Sequence, residues 1–255
     1  MDNAARAAAF AALHRPGEPV ELFNIWDPGS AAAVAAGGAP ALATGSWSVA
    51  AAFGHGDGHD LPLDLALENA RRIVAAVDLP VTLDFEGAYA EAPEEAAANV
   101  ARAAETGVIG CNIEDQVVGG QGLHAIDAQA ARIAAIRGAV DPVCAGFFVN
   151  ARTDIFLKAA PDTHDAAMVD AALERAQAYA GAGASGFFAP GLADPGLIER
   201  LCAAAPLPVN IMAMKTTPDS AAMAGLGVAR ISHGPGPFRA FTRWLRGEAQ
   251  AVYGA

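Results

Sequence analysis

Acidic side chains gather just behind two short apolar runs of this 255-residue chain. Asp84 and Glu86 follow Val81–Leu83, and Glu114 and Asp115 follow Val108–Ile113. A third run, Gly146–Val149, leads into Asn150, Arg152 and Asp154. Oxygen donors with no paired histidine or cysteine suit a hard cation such as Mg2+. An arginine facing them forks onto a substrate carboxylate. The chemistry these types describe is the grip of a small anion between a guanidinium and a cation. Arg152 and Asp154, two apart in an extended chain, share a side, so Asp154 is expected to hold the guanidinium. Other runs end in Asn24 and Asp27, in Thr44, Gly45 and Ser46, in Asn210 and Lys215, and in Ser232 and His233. His124 ends a glycine-rich loop, Gln116 to His124, and is a candidate proton donor when that loop closes.

These groups need a frame that brings run ends together. Eight runs read as strands: Val20–Trp26, Pro40–Thr44, Val81–Leu83, Val108–Ile113, Gly146–Val149, Gly186–Ala189, Val209–Met212 and Ala229–Ser232. Between them lie Ala-rich helical patterns near 63–77, 93–106, 125–138, 165–180, 194–204 and 218–225, with a last one at 237–252. Pro93 with Glu94 and Glu95 marks a helix start, Gly107 the matching stop, and Asp165 a cap. Alternating strand and helix implies an α/β fold with a parallel sheet. Eight strands in this length match a (β/α)8 TIM barrel, read as one domain over residues 1–255. An open doubly wound sheet fits less well, because no GxGxxG or Walker motif follows the first strand. In a barrel, strand ends share one face, and chemistry belongs there.

Composition narrows the partners. Sixteen Lys and Arg against 28 Asp and Glu give a net charge of −12, which argues against nucleic acid or an anionic membrane. Ser30 to Gly54 has no charged residue, but Gly37-Gly38, Pro40 and Thr44-Gly45-Ser46 interrupt it, so it reads as buried barrel or sheet interior rather than a membrane span. Three scattered cysteines without CxxC predict neither a disulfide framework nor zinc, and with no targeting signal the expected location is the cytoplasm. Cys111, inside a strand, reads as core. His55-Gly56-Asp57-Gly58-His59-Asp60 has metal-motif spacing, but its glycines make it a loop, and no second His/Cys cluster completes a site.

The strand-end residues also carry a resemblance. Asn24-Ile25-Trp26-Asp27, Ala43-Thr44-Gly45-Ser46, Gly54-His55-Gly56-Asp57-Gly58, Asp84-Phe85-Glu86-Gly87-Ala88-Tyr89, Asn112-Ile113-Glu114-Asp115 and Asn150-Ala151-Arg152-Thr153-Asp154 follow one another over nearly the whole chain. In this order they resemble the isocitrate lyase/phosphoenolpyruvate mutase superfamily. That resemblance implies a (β/α)8 barrel, commonly oligomeric as dimer or tetramer, with the last helix exchanged between subunits. It implies Mg2+, for which Mn2+ can substitute, bound by Asp84, Glu86 and Glu114 directly or through water, with Asp57 as an outer member. Gly45 and Ser46 fall where backbone N–H groups receive the substrate, and Arg152 where an arginine grips it. Trp26, Asn150 and Asn210 complete the candidate substrate contacts. The loop after strand four lacks the lysine and cysteine of the family's lyases, and Pro190 stands where the mutase has a histidine.

The expected function is Mg2+-dependent carbon–carbon cleavage, as lyase or decarboxylase, of a small 2-oxo or 2-hydroxy carboxylic acid through an enolate. Phosphonate chemistry of the mutase type shares the core site, and so does a metal-dependent 2-oxo-acid binder without turnover. The last helix places Phe238, Phe241 and Trp244/Leu245 on one face, to be covered by its own barrel or by a neighbour in a homo-oligomer.

Overall fold

Runs of Val, Ile, Leu, Phe and Ala buried on both faces make strands without polar alternation, and such strands pair in parallel. The computed structural model describes residues 2–254 and contains eight of them. They are β1 (Val20–Leu22), β2 (Leu42–Ala43), β3 (Val81–Asp84), β4 (Gly110–Glu114), β5 (Phe148–Arg152), β6 (Gly186–Phe188), β7 (Val209–Met212) and β8 (Arg230–Ser232). Their order is β1-β8-β7-β6-β5-β4-β3-β2, every pair parallel. The seam between β1 and β2 closes just past their ends. There Ile25 N–H donates to Ala43 O at 2.9 Å and Gly45 N–H to Ile25 O at 3.2 Å. The fold is an α/β (β/α)8 TIM barrel.

The helices are α1 (Asn3–Ala12), α2 (Pro28–Ala36), α3 (Ser46–Ala52), α4 (Leu63–Ala76), α5 (Pro93–Glu105), α6 (Ile126–Val140), α7 (Ile155–Lys158), α8 (Ala166–Gly181), α9 (Pro195–Ala204), α10 (Ser220–Gly225) and α11 (Gly236–Tyr253). Pro93 opens α5 with Glu94 and Glu95 in its first turn, and Gly107 leaves it at φ +98°. The Asp165 carboxylate caps α8 by accepting from Met168 N–H at 2.9 Å.

Ser30–Gly54 is not continuous barrel interior. It holds most of α2, whose outer face is solvent-exposed, then β2 and α3. Alanine is the best helix former, and Asp27 with Ser30 makes a reciprocal capping box that starts α2. Asp27 is thereby a helix cap and not a site residue. Among the described residues no helix is long and apolar enough to cross a membrane.

Below the strands, α1 closes the N-terminal end of the barrel. Phe10 and His14 bury against Phe148, with ring centroids 5.3 and 4.2 Å away, and the Arg230 guanidinium lies 6.0 Å from the Phe10 ring. Burial, helped by Arg230, pushes the His14 imidazole down to about 3.

Candidate active site

The C-terminal end of the barrel opens instead into a pocket of about 180 Å3. Every strand end contributes. Asn24 follows β1, Gly45 to Ser48 follow β2, Asp84 ends β3, and Asn112 lies in β4. Arg152 ends β5, Phe188 and Pro190 come from β6, Met212 ends β7, and Ser232, Gly234 and Pro235 close the ring from β8. Asp57 leans in from the loop before α4 and Leu157 from α7.

Arg152 is the one cation among the described residues lining this pocket. Its Nε and Nη2 donate to the two oxygens of Asp154 at 2.6 and 3.0 Å, as the i, i+2 spacing requires. Nη1 stands 3.0 Å from Glu114 Oε2. Burial alone would lower the guanidinium's pKa, but Glu114 and Asp154 carry it above the ordinary value. Glu114 is therefore engaged with Arg152 behind the pocket wall. Burial pushes its carboxyl up and the guanidinium draws it back.

Asp84 is fixed from both sides. Its Oδ2 accepts from Ser46 N–H at 3.0 Å and Ser46 Oγ at 2.9 Å, and its Oδ1 accepts from Asn112 Nδ2 at 3.2 Å. Ser46 Oγ also lies 3.5 Å from Asp57 Oδ1. Burial raises the Asp57 pKa, and the like charge of Asp84 adds to the rise. Glu86, just beyond, is pushed up to about 7 by burial and by Asp57. Three half-buried or buried carboxylates thus repel one another.

A hard cation answers that repulsion with an all-oxygen donor set. Among the described residues, however, no three His, Cys, Asp or Glu side chains converge tightly enough to hold a metal together. Direct coordination by Asp84, Glu86 and Glu114 as one cluster is not what the side chains form. One or two carboxylates with the remaining ligands as water is the way Mg2+ is commonly held. The residues fit such a group through Asp84 and Asp57, with Glu86 behind them.

The remaining sequence candidates separate by layer. Gly45 and Ser46 line the pocket, yet both N–H groups are spent, one on barrel closure at Ile25 and the other on Asp84. Asn150 and Asn210 lie one layer below. Asn150 Nδ2 donates to Asn112 Oδ1 at 2.9 Å, and Asn210 Nδ2 donates to Ser232 Oγ at 3.1 Å. They position lining residues rather than line. Trp26 does not reach the pocket, because its ring packs against Phe238 and Phe241 of α11 at 5.1 and 5.5 Å. His124 is likewise elsewhere. The loop after β4 folds into a small hairpin (Val117 N–H to Gly122 O, 3.2 Å), and His124 faces a separate hollow with His59, Gln116 and Arg132.

Asp115 is structural, held by Arg175 and the Tyr179 hydroxyl, each at 3.0 Å. Lys215 is exposed in a turn, and His233 pairs with Glu21 at 3.2 Å. The apolar wall of Trp47, Leu157, Phe188 and Met212 was not anticipated. Phe188 and Met212 are the last residues of their strands, so position alone could have found them.

Comparison with known proteins agrees with this fold. A family model described as phosphoenolpyruvate phosphomutase matches residues 10–253. The chain belongs to this family, within the isocitrate lyase/phosphoenolpyruvate mutase superfamily. A crystal structure from Burkholderia cenocepacia J2315, provisionally named a phosphonomutase, is 51% identical with a TM-score of 0.95, covering 99% of this chain and 100% of that one. An uncharacterised Mycobacterium tuberculosis protein is 35% identical over 237 residues, 91% of this chain and 84% of the relative. A Corynebacterium glutamicum protein assigned as 2-methylisocitrate lyase 2 is 31% identical over 213 residues, 80% of this chain and 65% of that protein. The superfamily contains lyases and mutases.

Proposed function

We propose that this chain is a Mg2+-dependent carbon–carbon lyase or decarboxylase of the cytoplasm, acting on a small 2-oxo or 2-hydroxy carboxylic acid through an enolate. The observation that carries the reading is Arg152, the single pocket cation among the described residues, held rigid by two carboxylates and facing Asp84 and Asp57 across a pocket of about 180 Å3. Arg152 binds one substrate carboxylate from its place in the pocket wall. Asp84 and Asp57 hold the cation, either directly or through water, with Glu86 behind, and Mn2+ can take the same place. When bound, the cation supplies a positive charge for the oxygen on which negative charge develops. Asn112 and Ser46 keep Asp84 from turning away. In a 2-oxo acid the C3–C4 bond breaks, its electron pair enters the C2–C3 enolate, and C4 leaves as CO2 or a carbonyl carbon. In a 2-hydroxy acid a pocket carboxylate takes the hydroxyl proton, the C2–C3 bond breaks, C2 becomes a carbonyl carbon, and the electron pair enters the enolate of the carboxylate on C3. Protonation of the enolate carbon completes either route, and Trp47, Leu157, Phe188 and Met212 shield the charge from water until then.

A second reading, phosphonate chemistry, is favoured by the 51% identical relative provisionally named a phosphonomutase. The loop after β4 carries no lysine, and Pro190 lines the pocket where the mutase has a histidine, which is why carbon–carbon cleavage is preferred here. A panel of small di- and tricarboxylic acids and phosphonopyruvate, each with Mg2+, decides. Pyruvate or glyoxylate release from a carboxylic acid supports the lyase reading, and turnover of phosphonopyruvate alone supports the second. Binding without turnover of any of them makes the chain a binder.

We also propose a homo-oligomer, dimer or tetramer, covering Phe241, Trp244 and Leu245, which α11 leaves exposed. A monomer by light scattering at micromolar concentration would count against it.

A further inference from the structure

Among the described residues, four that are not glycine have left-handed backbone: His59 (φ 65°), Glu86 (50°), Ala88 (60°) and Tyr89 (56°). All four lie where the loop before α4 meets the turn after β3. Side chains disfavour this conformation, and it persists only where the surroundings hold it. Arg132 Nη2 donates to Gly87 O and Ala90 O, and Asn99 Nδ2 donates to Ala88 O, so these hold the carbonyls of the turn, while one imidazole holds its N–H groups. His59 Nε2 accepts from Gly87 N–H at 3.1 Å and Tyr89 N–H at 3.2 Å. The ring stacks on Tyr89 with centroids 4.5 Å apart and 20° between planes. The backbone N–H of His59 donates to Glu86 Oε2 at 2.6 Å. A ring nitrogen that receives two N–H groups carries no proton itself, so the imidazole is neutral with its proton on Nδ1.

A third loop rests on the same spot. A methyl group on Gly87 would meet Val118 at 3.0 Å and the His59 ring at 3.2 Å, and one on Gly58 would meet Val118 at 3.7 Å. Glycine at 87 is what lets the imidazole and the loop after β4 approach this closely. Asp57 lies two residues before His59, and Glu86 lies inside the turn that His59 grips.

We infer that His59 is a positioning residue that pins the Asp57 loop to the Glu86–Tyr89 turn, sets both carboxylates beside Asp84, and gives the loop after β4 its seat. It touches neither pocket nor substrate and acts through Asp57 and Glu86. The inference rests on the reading of Asp57, Asp84 and Glu86 as cation-side acids.

Two substitutions in the full-length protein separate the acceptor from the ring. His59→Phe keeps the stack on Tyr89 and removes the acceptor, while His59→Gln sets an amide oxygen near the place of Nε2. The first readout is amide hydrogen exchange across 85–90, and the second is Mg2+ affinity by calorimetry with kcat and KM. His59→Phe is expected to speed exchange by about tenfold or more. It is also expected to weaken Mg2+ binding and lower kcat by roughly 10- to 100-fold, with KM for the acid little changed because Arg152 is untouched. His59→Gln is expected to recover most of each loss. Wild-type exchange and metal affinity in His59→Phe overturn the inference. Equal impairment in both variants also overturns it, since the ring or the fold would then matter rather than the acceptor. Asp84→Asn runs alongside. If its Mg2+ affinity matches wild type, the cation reading has failed, and the exchange data still decide whether His59 is the pin.

Discussion

The two ends of the barrel each bury an arginine, and they treat it in opposite ways. At the upper end Arg152 is forked by Asp154, flanked by Glu114 and edged by open pocket. At the lower end Arg230 is buried beneath Phe10 and His14 with no carboxylate partner among the described residues. Its Nε reaches Ser232 Oγ at 3.3 Å and its Nη1 has no partner, and burial pulls its pKa down to about 10. Buried charge therefore does not by itself mark a site. What marks the upper end is charge held in fixed geometry at the wall of an open pocket. Rigidity there comes from paired carboxylates, whereas the lower end is closed by stacked rings.

The largest expected effect belongs to Asp84. Asp84→Asn keeps the volume but loses the charge, and should lower kcat/KM by about 10³-fold or more while weakening Mg2+ binding. Calorimetry and steady-state kinetics check it, and near-wild-type values in both would remove the distinction between the two ends. Next is Arg152→Lys, which keeps a charge and loses the fork. It should cost roughly 10²-fold in kcat/KM, about 3 kcal/mol. Rates close to wild type would reduce Arg152 to a structural partner of Asp154, like Arg230 a buried charge without a task.

A smaller effect sharpens the comparison from below. His14 is pushed down to about 3 in the folded chain against an ordinary 6.5. As pH falls through 6.5 the unfolded chain takes up a proton first, so the His14 contribution is intact above 6.5 and declines toward pH 3. Between pH 6.5 and pH 5 the loss is about 2 kcal/mol. Comparing urea midpoints of wild type and His14→Phe at pH 7 and pH 5 tests it, with a smaller acid loss expected in the variant. The least effect is expected from Arg230→Met. A buried cation without a carboxylate is replaced by an apolar chain, so stability should hold or rise and kcat/KM should stay within about threefold. A hundredfold loss of activity would show that the lower arginine does work through Ser232 on the pocket.

The upper end was the more legible in sequence, for a physical reason. Strands buried on both faces leave their first polar residues at the barrel mouth, so Asp84 and Arg152 could be located from apolar runs alone. Asp154's grip on Arg152 followed from the two-residue repeat of an extended chain. Depth was not legible. Asn150 and Asn210 differ from Asn112 and Asn24 only in which layer they occupy, and Glu114 and Asp115 were split between Arg152 on β5 and Arg175 on α8, both far away in sequence. Trp26 and Trp47 both pack on Phe238 of α11, and only Trp47 also lines the pocket. Helices α1, α2 and α3 escaped notice, since alanine stretches carry high helix propensity and little periodicity. Their caps were the available signal, Asp2 before α1 and the Asp27–Ser30 box before α2. The left-handed turn at Glu86–Tyr89 was not legible, because the side chains that hold it, His59, Asn99 and Arg132, come from another loop and two helices.

The most direct test of the site is a crystal grown with Mn2+ and oxalate, a planar dianion that stands in for the enolate of a 2-oxo acid. Anomalous scattering locates the metal without reference to the protein. Mn2+ beside Asp84, within reach of Asp57 directly or through water, and oxalate against Arg152 are the expected result. Mn2+ bound away from Asp84, or oxalate seated away from Arg152, would contradict the assignment of the upper pocket.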